Sequence, residues 1–158
     1  MDEQAVSYLY VFSRLVNSFH QINSISNVEN LLAPALLKNV TEAHDKSWSE
    51  YAPVPVEVAV LQFTDPEQRI GYIETYFMQS STLVNLIIQL VLKKERQALD
   101  FFERELKPYV LNSYQTFEPT YNPAIDGLVF KYNKISVVIR KVPSSPIISS
   151  WMTLEGHE

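Results

Sequence analysis

Three histidines, His20, His44 and His157, are the side chains in this 158-residue chain best suited to moving a proton near neutral pH. His44 has Glu42 and Asp45 beside it, the residue types of a hydrolytic or metal cluster. The same group also fits a helix end, where an imidazole meets the negative end of the dipole, and that reading needs fewer coincidences. His20 closes an apolar stripe and reads as a packed or helix-terminal residue. His157 reads as part of a frayed tail. Carboxylate pairs are equally undirected. Glu103 and Glu105 are two apart and diverge on a helix, and Glu67 and Glu74 share a side with Arg69 close by, as on a solvated charged face. General acid–base chemistry needs carboxyls in a desolvated cleft, and no spacing here demands one.

Other chemistries are thinned out by composition. Cysteine is absent, which removes thiolate nucleophiles, thiolate metal ligands and disulfides together. Only Gly71, Gly127 and Gly156 are glycine, so no loop can cradle a phosphate or a dinucleotide. No nucleophile elbow of the Gly-x-Ser-x-Gly type occurs. The expectation is a protein without a metal site or cofactor, leaning away from catalysis.

Aromatic residues beside carboxylates offer more. Trp48 and Tyr51 flank Glu50 in a polar connector over 45–55. Tyr121 follows Glu118 and precedes Asp126 in a second loop. Aromatic anchors rimmed by acids suit a basic protein surface, so Trp48, Glu50, Tyr51, Glu118, Tyr121 and Asp126 form the candidate partner-binding set. The competing reading folds Trp48 and Tyr121 back over the core. A third signal is the cluster Lys131, Lys134, Arg140 and Lys141, with no acid between residues 127 and 142. It could meet a phosphate backbone, but lysines also keep an edge ribbon from aggregating, and nucleic acid ranks last among the partners considered.

The elements that would position these groups follow from hydrophobic spacing. Residues 81–106 predict one long central helix, apolar all round from Leu83 to Leu92 and charged beyond Lys93, with a polar stripe through Asn85, Gln89, Arg96 and Asp100. An amphipathic helix over 3–20 and a second from Asn27 or Val28 precede it, the latter opened by a Ser26–Glu29 capping box and broken at Pro34. Asp65-Pro66 predicts another helix start, with Ile70, Ile73, Tyr76 and Phe77 on its inner face. Pro108 should end or bend the long helix, leaving a last helical piece over 108–117 and a loop over 118–123. Alternation predicts a β-hairpin over 127–142 turning at Asn133-Lys134, with Tyr132 opposite Ile135, Phe130 opposite Val137 and Leu128 opposite Ile139. Extra strands are expected over 54–62, at a sheet edge, and over 147–154. The expected fold class is α+β: a helix-dominated single domain over 1–158, with a small C-terminal antiparallel sheet and a tail fraying from about residue 155.

Hydrophobic residues make up 46% of the chain and charged residues 20%, ordinary for a globular domain. The ten-residue apolar run is too short for a membrane span of about 20 residues, and the acidic start lacks the basic region of a secretory signal, which points to the cytoplasm. Net charge is −5, and residues 1–74 carry ten acids against four bases. The leading expectation is therefore a small acidic protein that binds another protein stoichiometrically, as an inhibitor, an immunity-type protein or an assembly factor. An alternative places an apolar ligand beside the long helix, lined by Tyr76, Phe77, Leu86, Leu90 and Phe102. A further alternative is an enzyme whose site is assembled from distant residues.

Overall fold

The computed structural model describes residues 6–43 and 56–157. Its framework is an eight-stranded antiparallel sheet in the order β1-β2-β3-β4-β8-β7-β6-β5. The strands are β1 (Lys38–Asn39), β2 (Val56–Thr64), β3 (Ile70–Met78), β4 (Leu83–Val91), β5 (Thr120–Asn122), β6 (Gly127–Tyr132), β7 (Ile135–Lys141) and β8 (Ile147–Leu154). Short α-helices accompany it: α1 (Tyr8–Asn17), α2 (Ile25–Leu32), α3 (Glu95–Phe101) and α4 (Lys107–Ser113). The chain is neither helix-dominated nor a helical bundle, and it has no long central helix among the described residues. The sheet is the dominant element.

The largest correction falls on residues 81–106. Leu83–Val91 is strand β4, paired with β3 on one side and β8 on the other. The burial of the strand shows the cause: seven of its nine positions are buried, all except Gln89 and Val91. A central strand covered on both faces is apolar throughout, and so is a buried helix, so periodicity alone cannot separate them. Val84, Ile87, Ile88 and Val91 are β-branched and favour the extended chain. Asn85 and Gln89 share a side at a spacing of four in either conformation, which is why a helical stripe seemed to begin there.

The segment 65–78 is not helical either: residues 65–69 form a turn and strand β3 follows. The Asp65 carboxylate does not start a helix. It accepts from the backbone N–H of Glu67 at 3.0 Å and of Arg69 at 2.8 Å, closing the β2–β3 turn. Asx side chains cap turns and helices with the same donors, so the sequence signal is shared. Gln68, with φ of 66°, then reverses the chain. In β3, Ile73 and Phe77 join the main core, while Tyr76 belongs to a separate cluster on the opposite face. The strand expected at an edge, β2, has β1 beyond it and pairs with β3 along nine residues.

Other elements shift by smaller amounts. Helix α1 begins at Tyr8, with the Ser7 hydroxyl accepting from the Tyr10 N–H at 3.2 Å. Helix α2 begins at Ile25 with Ser24, not Ser26, at its N-cap, and ends before Pro34. After α3 the backbone forms a π turn over Phe102–Leu106, its Lys107 N–H reaching back to the Phe102 carbonyl. Pro108 has no N–H to offer Arg104, so the normal ladder is interrupted at this point and the helix resumes as α4. The loop at 118–123 contains the edge strand β5. The 127–142 hairpin adopts the expected register, with Tyr132 opposite Ile135, Phe130 opposite Val137 and Leu128 opposite Ile139. β8 fills the place between β7 and β4, which joins that hairpin to the N-terminal strands.

All four helices contribute to one core cluster with a single side of the sheet, through residues such as Phe12, Leu15, Val28, Phe101, Leu106 and Val110. Tyr8 ties this layer together. Its hydroxyl donates to the Ile88 carbonyl at 3.1 Å and lies 2.5 Å from the Ser150 hydroxyl, while its ring meets Phe101 edge-on. Burial pushes the Tyr8 phenol well above its ordinary range, so it stays neutral. The opposite side of the sheet receives no helix among the described residues.

Candidate functional site

The side chains of the helix-free face can be read across the sheet from the strand register, because directly paired residues project to the same side. One row runs Tyr72, Gln89, Ser149, Arg140 across β3, β4, β8 and β7. The next row runs Val60, Glu74, Ile87, Trp151, Val138, Val129. A third contains Tyr76, Asn85, Thr153, Ser136 and Lys131. A polar row is thus bordered by a mostly apolar one. A groove on this face measures about 500 Å³. It is lined by Gln89, Ser149 and Arg140 along its floor, with Trp151, Val138, Ile125 and Val142 around them.

Three buried side-chain atoms among the described residues have no hydrogen-bond partner: Asn85 Oδ1, Arg140 Nε and Ser149 Oγ. All three lie on the helix-free face. Ser149 is only 1% exposed. Leaving such a donor or acceptor buried and unpaired costs about 1–3 kcal/mol, so folded proteins rarely tolerate it without a reason. Arg140 also makes no ion pair among the described residues. The opposite behaviour is seen next door: Lys141 points to the helix side, where its ammonium lies 3.1 Å from Glu95 at the start of α3. The basic hairpin therefore divides, with Lys141 committed to the fold, Lys134 in the turn, and Lys131 and Arg140 on the helix-free face.

The candidates chosen from sequence are distributed differently. Trp48, Glu50 and Tyr51, like His44, lie outside the described residues. Tyr121 is exposed on edge strand β5, opposite Leu128 and so on the helix-bearing side. The structure brings it together with Asp126, whose carboxylate accepts from the Tyr121 hydroxyl, and this bond raises the phenol's pKa. Lys107 lies 5.5 Å from the centre of the Tyr121 ring. Glu118 is exposed, in a left-handed conformation with φ of 51°. The Tyr121–Asp126 pair is thus a small motif with a cation against it rather than an uncompensated acidic patch.

Among the described residues, those considered for catalysis do not converge. His20 donates to the Asn133 carbonyl at the hairpin turn. Glu67 pairs with Arg69 at 2.7 Å, and Arg69 also holds Asp65 at 2.6 Å, so the charged groove beside α3 is built partly from a self-satisfied turn. Glu103 pairs with Lys107. No group of three or more metal-ligating side chains occurs among the described residues. The lining proposed for an apolar ligand is also divided: Phe77, Leu86, Leu90 and Phe102 are in the helix-side core, while Tyr76 faces the other way. No described helix is long and apolar enough to cross a membrane.

The residues that sequence reasoning missed are Ser149, Gln89 and Trp151. The hairpin alternation already set Arg140 apart from the core-facing side chains, but its neighbours become visible only when β8 is inserted between β7 and β4. Comparison with known proteins gives no match to this chain, whether to a protein-family model, a curated protein or a solved structure.

Proposed function

We propose that this protein works by binding a partner polypeptide stoichiometrically, without catalysis, across the helix-free face of its sheet. The observation that carries this reading is the placement of Asn85 Oδ1, Arg140 Nε and Ser149 Oγ. All three are buried and unpaired, and all project from that one face. A partner that supplies the missing hydrogen bonds recovers a cost the free protein already bears. Trp151 and Val138 beside them give the apolar contact that protein interfaces use at their centre. Such binding would suit an inhibitor, an immunity-type protein or an assembly factor. The acidic character of the chain would then steer the encounter, while the contact itself is made by a face that carries Arg140, Lys131 and Glu74 among mostly uncharged side chains.

Photo-crosslinking locates the surface. A photoreactive residue at Val138 or Thr153 should yield one defined adduct in the native cell, and one at the exposed Leu111 on α4 should not. The purified partner should then bind the protein in a 1:1 ratio. Equal crosslinking from Leu111, or no saturable binding by the purified partner, contradicts the assignment.

A further inference from the structure

We infer that the groove around Arg140 and Ser149 is a receptor for a carboxylate side chain on an extended, otherwise apolar segment of the partner. This rests on the partner-binding reading above and specifies its chemistry. Arg140 Nε is buried and unpaired. With an adjacent terminal nitrogen, Nε forms the planar side-on fork that matches the two oxygens of a carboxylate. Ser149 stands directly opposite Arg140 on the neighbouring strand and contributes a hydroxyl donor that nothing in the fold uses. Gln89 continues the same row and lines the same groove.

The surroundings select among anions. Trp151, Val138, Ile125 and Val142 make most of the wall apolar, so the acid must be carried on a segment with apolar neighbours. A phosphate polymer would need a line of cations, yet among the described residues Arg140 is the only cation lining the groove, and the row beside it is Val60, Glu74, Ile87, Trp151 and Val138. Capture of a chain terminus usually relies on a nest of backbone N–H groups. Here the donors are side chains standing on a paired sheet, whose backbone groups are used between strands. A glutamate or aspartate within a passing segment fits this arrangement.

The test uses the full chain and three peptides: acetyl-Leu-Glu-Leu-amide, acetyl-Leu-Gln-Leu-amide, and acetyl-Leu-Gln-Leu with a free C-terminal carboxylate. Binding is followed by NMR at the Trp151 indole N–H and the backbone amides of β7 and β8. The glutamate peptide should shift these signals saturably and bind at least tenfold more tightly than its glutamine counterpart. Arg140→Gln should erase that preference. Arg140→Lys keeps a charge without the fork and should lower it at least threefold, which guards against an effect of folding alone. Equal binding of the first two peptides overturns the inference, as does a preference that survives Arg140→Gln. Tighter binding of the free-carboxylate peptide overturns the choice of a side-chain acid. If the preference is absent while the partner still crosslinks from Val138, only this inference fails; if it is present while the partner ignores the face, the broader reading fails instead.

Discussion

Ser149 and Ser150 are consecutive on β8 and face opposite sides of the sheet: the Ser150 hydroxyl meets the Tyr8 hydroxyl at 2.5 Å, and that of Ser149 meets nothing. Both are buried, at 1% and 0% exposure, so the difference lies in partnership rather than solvent. Ser150→Ala should therefore lower stability by about 1 kcal/mol, the net worth of one hydrogen bond. Ser149→Ala should leave stability unchanged or raise it by up to about 1 kcal/mol, because it removes an unsatisfied group. Urea midpoints of the two variants check this. A gain in stability at Ser149, accompanied by weaker partner binding, is the signature of a residue retained for function at a cost to the fold.

The Tyr8 phenol gives a pH dependence whose sign is fixed. Its pKa is raised by burial, and that of Tyr114 is raised chiefly by the same cause. In the unfolded chain both lose their protons near the ordinary value of about 10. Above that pH the unfolded state binds fewer protons than the folded state, so stability is complete below about pH 10 and falls as the pH rises further. Tyr8→Phe should cost about 1–2 kcal/mol at neutral pH through its lost hydrogen bonds. It should also make the alkaline decline shallower. Urea unfolding between pH 8 and 11.5 measures both effects, and an unchanged alkaline slope would count against burial of a neutral phenol.

Gly71 is required by its cross-strand partner. A Cβ built at Gly71 would lie 2.1–2.6 Å from atoms of the Phe63 ring, which packs over the glycine from the paired position on β2. Gly71→Ala should destabilise the protein by about 1–3 kcal/mol through overpacking. Adding Phe63→Leu should recover part of the loss, and a double-mutant cycle by urea denaturation reads the coupling.

The hairpin turn at Asn133-Lys134 is open to improvement. Both residues have positive φ, 48° and 68°, the combination of a type I′ turn. Asparagine tolerates this conformation, but lysine carries a Cβ penalty that glycine does not. Lys134→Gly should stabilise the protein by about 0.5–1 kcal/mol, seen as a higher thermal midpoint, with partner binding unaffected.

The terminal hairpin was legible because its alternation is unbroken and only one face could be buried. Leu128, Phe130 and Tyr132 fix the register against Ile135, Val137 and Ile139. β4 was not, because burial on both sides erases the two-residue period, and Asn85 and Gln89 then fall at a spacing common to helix and strand. Asp65-Pro66 misled for a related reason, since a carboxylate accepting backbone N–H groups looks the same at a turn and at a helix start.

The candidate site was legible only in part. Arg140 could be placed on the face opposite the core-facing hairpin residues, but its relation to Ser149 and Gln89 requires knowing that β8 lies between strands about 50 residues apart in sequence. Tyr121 and Asp126 come together as neighbours in a loop can, yet Lys107 arrives from α4 and alters the charge of that patch. Linear spacing reports neither arrangement.

Partner binding across the helix-free face is tested directly by calorimetric titration of the purified crosslinked partner into the protein and two variants. Val138→Lys places a charge in the middle of the helix-free face, and Leu111→Lys does so on exposed helix α4. Binding across this face should give a 1:1 complex with the parent protein, at least a tenfold loss of affinity for Val138→Lys, and no loss for Leu111→Lys. Unchanged affinity for Val138→Lys, with its fold intact by NMR, would contradict it.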